Sequence, residues 1–131
     1  MRKTAMFAGL AFLGVAALVQ GSSSARPLKP AQEALIKPVG KPVSCIPLTQ
    51  IRETRVRDDR TIDFYTIGRK VYRNRLPYSC PQLGFEEKFL YKTSLSQLCS
   101  TDIITVLTSP DISRGASCGL GEFQPVTGAP R

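Results

Sequence analysis

Cys45, Cys80, Cys99 and Cys118 carry the most constrained chemistry of this 131-residue chain. They stand 35, 19 and 19 residues apart, and the chain has no histidine. Structural zinc takes its thiolates in close pairs, roughly two to four residues apart. Redox-active thiols need a near neighbour, with one sulfur at a helix start. Neither pattern is present, so the four sulfurs are expected to form two disulfides. No metal and no cofactor is expected.

The lack of histidine also removes Ser-His-Asp and Cys-His nucleophile systems. Carboxylates remain, but the adjacent pairs Asp58-Asp59 and Glu86-Glu87 point to opposite faces of an extended chain and form no ready acid–base dyad. Gly119-Leu-Gly121 lacks the strand–turn–helix setting of a phosphate loop and reads as a turn or bulge. No catalytic residue is expected, and the chain is read as a non-enzyme.

Arginine spacing is the other chemical signal. Arg55 and Arg57 alternate on one segment, Arg73 and Arg75 on another, and Tyr65 lies between them. Guanidinium groups around an aromatic ring can hold phosphate or carboxylate. Arg55, Arg57, Tyr65, Arg73 and Arg75 are therefore the candidate anion-binding face, with Arg60, Arg69 and Lys70 at its turns. The competing reading is a charged strand face that serves solubility.

The elements that must position these groups read as β-structure. Ile51–Arg57, Thr61–Ile67 and Lys70–Leu76 form a meander, turning at Asp58-Asp59-Arg60 and at Gly68-Arg69. A two-residue loop at Gly68 would mix core residues with charge. An odd loop puts Ile62, Phe64, Tyr72 and Leu76 on one face and Asp63, Tyr65, Arg73 and Arg75 on the other. Asp63 and Arg73 then become cross-strand neighbours. Farther on, Phe85–Tyr91 reads as a strand, Thr93–Leu98 as a turn of helix capped by Ser94, and Asp102–Leu107 as the most apolar, central strand. Ser109–Ala116 reads as a loop and Leu120–Val126 as a last strand. The expected fold is all-β, a small five- or six-stranded antiparallel barrel or sandwich stapled by two disulfides. A simple up-and-down order puts Cys45 with Cys99 at one end and Cys80 with Cys118 at the other.

The ends of the chain carry other signals. Arg2-Lys3, an apolar run from Thr4 to Val19 and a small-residue exit form a secretory signal over 1–25, with cleavage after Gly21 or Ala25. The run is shorter than the roughly 20 residues of a membrane span. Its removal takes Arg2 and Lys3 and lowers the net charge from +8 to +6. A basic balance of that size favours anionic partners. Residues 26–43 hold Pro27, Pro30, Pro38 and Pro42 among lysines and read as a semi-rigid linker. The folding unit is then 44–126, with 127–131 as a flexible tail.

Several runs carry a resemblance: Cys45-Ile-Pro-Leu, Ile51-Arg-Glu-Thr-Arg-Val-Arg-Asp-Asp-Arg-Thr-Ile62, Gly68-Arg-Lys-Val-Tyr-Arg, Cys80-Pro-Gln-Leu-Gly, Leu98-Cys-Ser-Thr-Asp-Ile103 and Cys118-Gly-Leu-Gly-Glu-Phe-Gln-Pro125. Together they are similar to a group of small exported proteobacterial proteins of unknown function. The resemblance implies a cell-envelope location and carries over no site residue.

The expected function is a periplasmic or secreted, non-catalytic protein. Its expected partner is an anionic envelope component or an acidic protein surface. The alternatives are an inhibitor of a hydrolase, presenting Asp111–Ala116 as its loop, and a nucleic-acid-binding small barrel, which export disfavours. No transmembrane segment is expected in the mature chain.

Overall fold

The computed structural model describes residues 27–131. The export signal read at 1–25 lies outside the described residues. The described part is a sandwich-like, all-β arrangement of ten strands in three antiparallel sheets.

The meander forms as expected. Strands β3 (Ile51–Val56), β4 (Thr61–Thr66) and β5 (Val71–Arg75) pair in sequence. Asp63 stands opposite Arg73, and Phe64 opposite Tyr72. The β4–β5 loop is odd: Thr66 N–H donates to Lys70 O at 2.9 Å, leaving Ile67, Gly68 and Arg69 between them. Gly68 takes a φ of 77° there, a left-handed value that favours glycine. Ile62 and Phe64 consequently face the core, and Asp63 and Tyr65 the far side.

Two further strands complete this sheet. β10 (Phe123–Thr127) pairs with β5, and β1 (Lys37–Pro38) with β10, giving the order β1-β10-β5-β4-β3. The segment expected to be a linker therefore contributes a strand. It also carries a helical turn, α1 (Pro30–Glu33), and Val43 bridges Phe123. The lysine- and proline-rich strap is held by backbone pairing, which does not depend on apolar side chains. The expected flexible tail is likewise engaged, since Tyr65 donates its hydroxyl proton to Pro130 O.

Opposite lie β2 (Cys45–Pro47) with β7 (Gln97–Cys99), and a three-stranded sheet with β8 (Ile103–Thr108) between β6 (Phe89–Tyr91) and β9 (Ser113–Gly119). Ile62, Phe64, Phe123 and Leu76 meet Ile46, Leu98, Ile104 and Val106 in the core. Phe64 and Phe123 pack edge to face, with ring centroids 5.4 Å apart.

The disulfides are Cys45–Cys99 and Cys80–Cys118. The pairing is the expected one, though the strands do not form one up-and-down sheet. Cys45 and Cys99 are register partners of β2 and β7.

Three local expectations are corrected. Phe85–Tyr91 is not one strand: Leu83–Glu86 forms a helical turn, α2, and only Phe89–Tyr91 is extended. Asp59 sets this turn by accepting from Gly84 N–H at 2.7 Å, which buries Leu83 and leaves Phe85 exposed. Thr93–Leu98 contains no helix. Thr93 Oγ1 accepts from Leu95 N–H and donates to Gln97 O, closing a turn before β7. Ser113–Gly119 is strand β9, because its backbone pairs with the apolar β8; only 109–112 remains loop. The loop proposed for hydrolase inhibition is thus mostly sheet edge.

Candidate functional site

The far side of the five-stranded sheet carries the candidate face. The parity of the meander places Arg55, Arg57, Asp63, Tyr65, Arg73 and Arg75 on this side, and Glu53, not among the expected residues, joins them. Their availability differs from expectation. Asp63 is fully buried, and Arg57 and Arg73 are nearly so, at 7% and 9% exposure.

Asp63 joins the two arginines. Its Oδ2 accepts from Arg57 Nε at 2.9 Å and from Arg73 Nη2 at 3.1 Å, and its Oδ1 accepts from Arg73 Nε at 2.8 Å. Glu33 of α1 reaches Arg73 from the strap and accepts from Nη1 and Nη2. Two cations thus meet two carboxylates. Burial disfavours the charge of Arg73, yet its bonds to Asp63 and Glu33 hold the guanidinium above its ordinary value. Arg57 Nη2 donates to the Tyr65 hydroxyl at 2.8 Å. Burial raises the Tyr65 phenol above its ordinary value, against the pull of Arg57. Among the described residues, every buried side-chain nitrogen and oxygen has a partner. Arg57 and Arg73 are therefore structural, and the face expected to be open is closed over its middle. The physical reason is the strap and the tail, which reach over it through Glu33 and Pro130.

The other candidates lie at the two ends of the sheet. Arg75 is exposed and lines an open depression of about 580 Å³ beside the β3–β4 turn. Most charges around it are used by the backbone. Asp58 accepts from Arg60 N–H, Asp59 accepts from Gly84 N–H, and Arg60 Nε donates to Leu76 O at 2.6 Å.

The opposite end is different. A cleft of about 160 Å³ is lined by Arg52, Arg55, Arg69, Lys70 and Arg131, with Tyr65 in its wall and Glu53 as its acidic side chain. Arg55 binds Glu53 at 2.7 Å and stacks over the Tyr65 ring, 5.1 Å from its centre. The Arg55 hydrogen bond holds Glu53 below its ordinary carboxylate value, and Glu53 in turn raises Arg55. Among the described residues, Arg52, Arg69 and Lys70 are exposed and make no ion pair. The cleft is smaller than the roughly 300–1,000 Å³ of sites for organic ligands. Its size suits one phosphate or carboxylate group.

Strand alternation did not reveal Arg52, since period two puts it on the core side of β3. A bulge overrides that pattern. Ile51 faces Thr66 and Glu53 faces Tyr65, so Arg52 has no partner across the ladder and turns outward. Arg69 and Lys70 were legible as basic turn residues, but not as neighbours of Arg52.

Among the described residues, no helix is long and apolar enough to cross a membrane. No protein-family model, curated protein or solved structure matches this chain.

Proposed function

We propose that this protein is an exported, non-catalytic binding module that holds an anionic group of its partner in the Arg52–Arg69–Lys70 cleft. The observation that carries the reading is the concentration of unpaired cations in that one recess, while Arg57 and Arg73 are neutralised by Asp63 and Glu33. Guanidinium and ammonium donors converging on a single-group recess suit phosphate or carboxylate. The missing histidine and the paired cysteines leave little nucleophilic chemistry and support a binding role. The secretory signal and the two disulfides support an oxidising compartment, such as the periplasm or the exterior.

The test is an amide chemical-shift titration of the oxidised protein with inorganic pyrophosphate. Shifts are expected at Arg52, Arg69 and Lys70 and should be small at Arg57 and Arg73. Binding should weaken as salt shortens the screening length. The Arg52→Ala/Lys70→Ala double substitution should weaken it about ten-fold or more, from the loss of two charge-assisted contacts. Binding that ignores salt, or shifts centred elsewhere, would remove the proposal.

A further inference from the structure

We infer that the β4–β5 turn docks on an anionic lipid surface, with Ile67 entering the apolar layer and the basic cleft holding lipid phosphate. This inference rests on the anion-binding reading and names the partner of that same site. Its own observation is Ile67, which is 52% exposed at the tip of the turn.

The turn displays this side chain firmly. Lys70 O accepts from both the Thr66 N–H and the Thr66 hydroxyl, each at 2.9 Å, which closes the loop at its base. Gly68 and Arg69 both take left-handed backbone angles, with φ of 77° and 67°. Thr66, just before Ile67, is buried and lines the basic cleft. Arg69 and Lys70 follow Ile67 directly, and Arg52 comes alongside because Ile51 pairs with Thr66. One exposed aliphatic side chain therefore lies at the edge of the cleft that Arg52, Arg69 and Lys70 line.

That arrangement matches the layering of a bilayer surface, where phosphates lie above the acyl chains. Basic residues gain from the negative surface potential, and a neighbouring apolar side chain gains by entering the acyl boundary. A lone isoleucine suits a fluid surface that closes around it. Each basic residue is worth about five-fold in partitioning onto an anionic membrane, and the isoleucine about ten-fold.

The experiment is co-sedimentation of the oxidised protein with vesicles of mixed phosphatidylglycerol and phosphatidylethanolamine, against vesicles of phosphatidylcholine. The wild-type chain should partition onto the first and not the second. Ile67→Ser should lower that partitioning about ten-fold while leaving pyrophosphate binding unchanged. The chain contains no tryptophan. Ile67→Trp therefore provides a single reporter at the tip, whose emission should shift to the blue with anionic vesicles and stay constant with pyrophosphate. Equal partitioning of Ile67→Ser and wild type, or no emission shift, overturns the membrane inference and leaves the anion site standing. Equal binding to phosphatidylcholine overturns it as well. Failure of both pyrophosphate and anionic vesicles to bind overturns the underlying reading together with it.

Discussion

Asp63 decides what the basic face is. Its carboxylate accepts from two nearly buried arginines and is itself fully buried. Such a cluster is weak support for stability as a whole, because desolvation opposes the attraction, but removing one partner strands the others. Asp63→Asn keeps the shape and deletes the charge. It should destabilise the domain by about 3–5 kcal/mol, read by urea denaturation. Glu33 is half exposed, so Glu33→Gln should cost no more than about 1 kcal/mol. Similar losses for the two substitutions would show that Asp63 is not the centre of the cluster. Strand alternation makes Asp63 and Arg73 cross-strand neighbours, which for an exposed pair is a minor contact. Burial, not proximity, changes their role from a minor contact to a structural requirement.

Among the elements, the joint between β5 and β10 is a tight backbone approach. Asn74 is buried on the core side of β5. Its amide donates to Gly121 O at 2.7 Å and its carbonyl accepts from Gly121 N–H at 2.8 Å. A Cβ on Gly121 would lie 2.2 Å from the Arg75 carbonyl oxygen, so the approach requires glycine. Gly121→Ala should push the start of β10 away, break both bonds to Asn74, and lower stability by about 1–3 kcal/mol. Amide exchange should quicken along β10 and at its neighbour β1, and remain slow in β8. Unchanged exchange in β10 would contradict this account. Gly119-Leu-Gly121 was readable as a turn or bulge; the need for its second glycine was not, because the clashing carbonyl is 46 residues earlier in the chain.

The whole molecule is a pair of facing layers with one staple in the smaller layer and one between the layers. Cys45–Cys99 locks β2 to β7. Cys80 follows β5 and is tied to the β3–β4 turn through Asp59 O, so Cys80–Cys118 joins that end of the large sheet to β9. The bridges span 54 and 38 residues, and loop entropy grows slowly with length. Removing either should cost a similar amount, about 2–5 kcal/mol. A domain of this size has a total stability of about 5–15 kcal/mol, so removing both should leave little or no folded population. Paired substitution of each bridge to alanine, followed by thermal and urea unfolding, tests this. A double-bridge variant that still unfolds cooperatively at high denaturant would refute it.

Local information determined the disulfide count, the all-β character and the meander with its odd loop. Each is written in neighbouring residues: alternation, turn glycine, cysteine number. The tertiary structure alone decided which arginines are free. Arg57 and Arg73 are neutralised through a carboxylate on β4 and another on a strap 40 residues before Arg73. Arg52 is turned outward by a bulge that strand alternation does not reveal. Charge availability depends on what lies across the ladder and over the sheet. Those neighbours are distant in the chain, so side-chain period cannot report them.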